Sequence, residues 1–240
     1  IRQRQDHTMH RTLTRRLAML CAMLCLGLVA VAETHYKPHI SVGGRAGASL
    51  SKMSFSPGVK QGWLTGTAGA VTFRYSEEKI FGLIAEFGWE QRGWKENFDE
   101  ANSFLSYSRS LTYLRLPVLT HIYFGGRRFK GFVNLGPEVS YMIGDKISSN
   151  FNYEYPSDVE GFPDNRMVSQ MSMDIANKFD YGIAAGLGCE FYVQPRHSIT
   201  FEARLYYGLG NIFPAKKADV FSASRSMSIE ATIGYNFRLK

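Results

Sequence analysis

His121 lies on the charged side of the stretch 110–125, SLTYLRLPVLTHIYFG, and Glu86, Glu90 and Glu138 fall in similar stretches nearby. A histidine oriented by a carboxylate is the general-base half of a hydrolase. The other half is a positioned nucleophile or an activated water, and no serine elbow or repeated acidic pair accompanies His121. The stronger reading is a histidine that fills space among other inward-facing polar groups, so no catalytic residue is assigned. The same side of the pattern carries charges of both signs. Arg45, Arg74, Arg115, Arg204 and Arg238 stand against Glu86, Glu90, Glu138, Glu190, Glu202 and Glu230. Enclosed together they would pair. We assign Arg45, Glu86, Glu90, Arg115, His121, Glu138, Glu190, Glu202 and Arg204 to a structural polar network, with a gate or conduction path as the alternative.

No metal or cofactor is expected. Cys189 is the only cysteine after residue 32, which leaves no intrachain disulfide and no zinc cluster, and no EF-hand spacing is present.

The elements that must position these charges are strands. In 110–125, Leu114, Leu116, Val118, Ile122 and Phe124 share one face, and Tyr113, Arg115, Pro117, His121 and Tyr123 share the other. The alternation recurs in 39–50, 63–75, 80–91, 112–124, 131–143, 180–193, 198–209 and 228–239, and the apolar face never carries a charge. The connections 76–79, 125–130 and 194–197 are short; 52–62, 93–110, 144–179 and 211–225 are long. Short turns on one side and long loops on the other are the habit of outer-membrane barrels.

Alternation alone also fits a soluble barrel with an apolar core. Three features turn the apolar face outward. Mid-strand glycines sit on the charged face, where they make room for Arg and Glu. The charges on that face are roughly balanced. Trp89, Tyr75, Tyr141, Tyr181 and Phe124 lie near strand ends, where aromatic girdles belong. The expected fold is all-β: an eight-stranded antiparallel up-and-down transmembrane β-barrel of OmpA or OmpX size, filled by its own side chains.

Residues 9–32 read as a secretory leader. Arg11, Arg15 and Arg16 form its head, 17–29 its apolar middle, and Ala30-Val31-Ala32 its cleavage site, so the barrel domain is 33–240. The apolar run is shorter than the about 20 residues a membrane anchor needs. Neither Cys21 nor Cys25 follows a small residue, which argues against a lipoprotein site. Residues 1–32 hold five arginines against one aspartate, +4 of the formal +7, leaving +3 for the remainder and no case for nucleic acid.

The stretches LTYLRLPVLTHIYFG (111–125), NLGPEVSYMIGDK (134–146), KFDYGIAAGLGCEF (178–191), EARLYYGLGNIF (202–213) and IEATIGYNFRLK (229–240) resemble the PorT or porin family of outer-membrane β-barrel proteins of Bacteroidetes. Tyr113-Leu-x-x-Pro117 and Gly208-Leu-x-Asn-Ile212 carry the resemblance most specifically. It covers roughly 37–240 and implies a barrel in the outer membrane of a Gram-negative cell. The namesake member serves protease export by the type IX system. Tyr235, Phe237 and Leu239 are similar to a barrel-insertion signal, which here departs from the usual pattern by ending on Lys240.

The leading expectation is a non-enzymatic integral outer-membrane protein, structural or surface-binding through its long outer loops. One alternative is an accessory subunit of a PorT-like secretion machine; another is a membrane-embedded hydrolase built on His121. The expected partners are outer-membrane lipid and lipopolysaccharide, the barrel-assembly machinery during insertion, and secretion-system proteins under the first alternative. The loop 144–179 mixes Asn150, Asn152, Tyr153, Tyr155, Asp158, Glu160, Asp164 and Asn165 with Pro156 and Pro163. That mixture suits a protein or glycan contact and equally suits a plain surface loop.

Overall fold

The computed structural model describes residues 38–76, 80–163, 166–215 and 219–239. The leader 1–32, the start of the barrel domain at 33, most of the turn 76–79, and Asp164, Asn165 and Lys240 lie outside the described residues.

Eight long strands follow one another: β1 His39–Ser56, β2 Leu64–Ser76, β3 Phe81–Glu96, β4 Tyr107–Gly125, β5 Phe129–Ser149, β6 Phe179–Gln194, β7 His197–Gly208 and β8 Ala223–Arg238. Each pairs antiparallel with the next. β1 pairs with β8 from Ser41 opposite Arg238 to Ser56 opposite Ala223, which closes the ring. Closure removes every long sheet edge. A two-residue segment, Gln61–Gly62, adds to the loop end of β3.

The apolar side chains of the alternating pattern point out. Phe87 is 59% exposed and Leu187 67%, whereas Arg115 is 1% and Glu90 0%. An outward apolar belt with charges inside is the reverse of a soluble barrel, and it is the arrangement a bilayer solvates. Two outward glycines are roofed by aromatic rings from the facing strand: Trp89 lies over Gly69 and Phe124 over Gly131. Inside, glycine makes room. A Cβ on Gly186 would sit 2.3 Å from a carboxylate oxygen of Glu202, and one on Gly182 would sit 2.8 Å from the Tyr206 hydroxyl.

The strands run further outward than their sequence pattern. They span 12 to 21 residues, against the about 9–11 needed to cross a bilayer. β1 continues to Ser56, β3 to Glu96 and β5 to Ser149, and β4 starts at Tyr107 and β8 at Ala223. The expected loops 52–62, 93–110, 144–179 and 211–225 are shorter for this reason. Beyond the apolar belt the outward positions turn polar (Lys52, Ser54, Ser56), and the alternation that marks a strand in lipid disappears. β5 also bulges at Ile143. Thr112 pairs with Gly144 while Tyr113 pairs with Met142, so Asp145 takes the inward parity.

Candidate functional site: a braced lumen under an aromatic cap

In ring order β3, β2, β1, β8, β7, β6, β5, β4, strands four places apart face each other across the lumen. Three ion pairs span that diameter. Arg204 on β7 reaches Glu86 on β3 with Nη1 and Nη2 at 2.7 and 3.0 Å. Arg115 on β4 reaches Glu230 on β8, with Nη2 at 2.9 Å from Oε2. Arg74 on β2 reaches both oxygens of Glu190 on β6, at 2.9 and 3.0 Å.

Shorter braces knit these together. Arg45 bonds Glu86 at 2.9 Å, Glu230 at 3.1 Å and the Thr232 hydroxyl at 3.1 Å. Arg204 also holds Glu202, both of its donors at 3.0 Å. Ser198 donates to Glu190 at 2.5 Å. Each carboxylate in the water-poor interior thus faces a guanidinium, and an unpaired one there is strongly destabilising.

The nine residues assigned from sequence all line this interior. His121 stands apart from Glu86, Glu90 and Glu138. Its Nδ1 bonds the Asn134 side-chain oxygen at 2.7 Å, and Asn134 donates to Glu202 at 2.8 Å. Its ring packs 5.1 Å from both Tyr123 and Phe132. An amide, not a carboxylate, orients the imidazole.

Sequence reasoning missed Arg92. It lies in the outward extension of β3, one residue past the expected strand end, yet it is fully buried. Arg92 Nε donates to Glu90 at 2.8 Å, and its terminal nitrogen bonds Glu138. The guanidinium lies 3.7 Å from the Tyr206 ring centroid, and the Tyr206 hydroxyl donates to Asp180 at 3.0 Å. The signal was present: position 92 continues the even-numbered inward series of Glu86 and Glu90.

Above Arg92 the lumen turns apolar. Met53, Phe55, Trp94, Leu111 and Met142 from the strands pack with Met171, Ile212, Phe213 and Phe221 from the two longest connections. Phe55 lies 5.4 Å from Trp94 and 5.1 Å from Phe221, centroid to centroid. Polar clasps hold the connections down. The Tyr107 hydroxyl donates to the Met171 carbonyl at 2.7 Å, and Arg109 donates to the Met173 carbonyl at 2.6 Å. Arg166 and Gln170 bond the two oxygens of Glu96 at 2.7 and 3.0 Å. Burial raises the Glu96 carboxyl above the usual carboxylate range, against the bonds from Arg166 and Gln170. Part of the segment 144–179, read from sequence as a contact-making or plain surface loop, therefore folds back as a lid. Among the described residues, no group of three or more His, Cys, Asp or Glu is arranged to hold a metal ion.

A family model described as outer membrane protein beta-barrel domain matches residues 32–214. Similar solved structures include OprG of Pseudomonas aeruginosa, 13% identical, covering 84% of this chain and 95% of that one, with a TM-score of 0.48. Neisserial surface protein A is 13% identical over 83% of this chain and 98% of its own, TM-score 0.41. Ail of Yersinia pestis is 12% identical over 82% and 99%, TM-score 0.39. Among curated proteins nothing matches.

Proposed function

The chain belongs to the outer membrane protein beta-barrel domain family, and from that premise we propose that it is a non-enzymatic barrel that works through its outer surface and not through a pore. The supporting observation is the lumen. Ion pairs cross its full diameter at Arg204–Glu86, Arg115–Glu230 and Arg74–Glu190, and the aromatic cap fills the mouth above them. A diffusion channel needs a continuous column of water, and these side chains occupy its path. The surfaces left for function are the lipid-facing wall and the loop crown. Hydrolysis at His121 has no support in this geometry, because Asn134 stands where a catalytic carboxylate would be.

Export by a leader cleaved after Ala32, and kinship with the PorT-like barrels of Bacteroidetes, belong to the same reading and rest on the sequence motifs. Outer-membrane lipid, including lipopolysaccharide, then surrounds the apolar belt, and the barrel-assembly machinery inserts it.

The test is reconstitution of the purified chain in planar bilayers, with unboiled and boiled samples compared by gel electrophoresis. We expect a faster-running unboiled band and no conductance above that of protein-free bilayer. Steady ion conductance from the folded fraction would overturn the closed-lumen reading.

A further inference from the structure

Charge on the strands is sorted by side. Among the described residues, the Asp and Glu side chains of the eight strands all take inward positions: Glu86, Glu90 and Glu96 on β3, Glu138 and Asp145 on β5, Asp180 and Glu190 on β6, Glu202 and Glu230. The outward positions carry Lys52, Lys95, Lys146 and Arg225, all on the extensions beyond the apolar belt. The wall at this height is purely cationic.

Two of these lysines meet at one groove. Trp63, Thr65, Lys95, Ser106, Ser108 and Ser148 line a depression of about 350 Å³ on the outer wall. Lys95 pairs with Ser108 across β3 and β4, and Ser108 with Ser148 across β4 and β5, so ammonium and hydroxyls form a row. Lys52 flanks one end, its Nζ 4.8 Å from the ring centroid of Trp63, which is 43% exposed.

We propose that this groove holds a phosphorylated sugar of the outer-leaflet glycolipid, with Lys52 and Lys95 facing its phosphates. This rests on the outer-membrane reading above. Ammonium groups bind phosphate as point charges. Serine and threonine hydroxyls both donate to and accept from sugar hydroxyls, and an indole at the membrane interface offers a flat apolar face beside a polar edge. Placement just beyond the lipid-facing belt selects a lipid-borne ligand over a soluble one.

The test uses the full chain in bilayers, with rough lipopolysaccharide as the probe, native and phosphatase-treated. Binding is read by native mass spectrometry and titration. The variants are Lys95→Gln alone and Lys52→Gln/Lys95→Gln together, with Arg196→Gln in a short turn as control. We expect phosphatase treatment and the double variant each to weaken binding at least tenfold, Lys95→Gln at least threefold, and the control to leave it unchanged. Wild-type affinity in the double variant, equal binding of dephosphorylated lipid, or full displacement by inorganic phosphate would each overturn the site. A wild-type chain that gives no heat-modifiable band would instead sink the barrel reading beneath it.

Discussion

Arg204 and Glu86 meet across the whole width of the barrel, from strands four places apart in a ring of eight, with nitrogen–oxygen distances of 2.7 and 3.0 Å. Losing the arginine affects its two carboxylates differently. Glu86 keeps Arg45 at 2.9 Å, but Glu202 is left with Arg45 at 3.9 Å and the Asn134 amide. Removing one partner of a buried pair typically costs about 3–5 kcal/mol. Arg204→Met should lower the unfolding free energy by that order in urea titrations followed by tryptophan fluorescence in lipid. Adding Glu202→Gln should recover part of the loss. If the double variant is no more stable than the single one, Glu202 is not the orphaned charge.

The cap is a separate packing unit from the charged lumen. Phe213 is fully buried, with ring centroids 6.1 Å from Phe55 and 5.7 Å from Phe221. Truncating a buried phenylalanine costs about 3–5 kcal/mol, and here that loss should fall on the loops. Phe213→Ala should speed proteolysis within 150–178 while the heat-modified gel shift stays as in the wild type. Conductance should remain absent, since the diametric ion pairs lie below the cap. A barrel that loses its gel shift would show that cap and wall unfold as one.

The parts of this molecule legible in sequence are those in lipid. A bilayer demands an apolar residue at every second position, so the membrane-crossing portions of β4 and β7 announce themselves, and the inward set from Arg45 to Glu230 follows from parity. Above the lipid that demand ends. Arg92, Arg109 and Glu96 sit on strand extensions whose outward neighbours are polar, and they read as loop. The bulge at Ile143 hides Asp145 further, because it switches parity within one strand. The cap was illegible for a different reason: Met171, Phe213 and Phe221 come from distant connections, and only the closed ring brings them over one mouth.

His121 tests the structural reading of the network. The Asn134 side-chain oxygen accepts from Nδ1–H, and the amide's own donor goes to Glu202. Leucine at position 121 fills similar space but leaves that buried oxygen unpaired, at about 1–3 kcal/mol. His121→Leu should therefore lower stability by that amount. Release of fatty acid or peptide from model substrates should not change. Activity present in the wild type and lost in this variant, with the barrel still folded, would reinstate the hydrolase.

Glu96 gives the cap a pH dependence whose sign is fixed. Burial raises its carboxyl in the folded chain above the ordinary value near 4.5, so the folded state binds the proton more tightly than the unfolded one. That contribution is fully present below the unfolded pKa and is lost as pH rises through the folded one. The lid segment around Gln170 and Met171 should accordingly be better held near about pH 4 than near about pH 8. Hydrogen exchange of the Met171 and Met173 amides, which donate to the Val168 and Ser169 carbonyls, reports this directly once intrinsic rates are divided out. Glu96→Gln should flatten the profile, because a neutral amide in place of the carboxyl does not titrate. A profile that keeps its slope in Glu96→Gln would move the titration to another group.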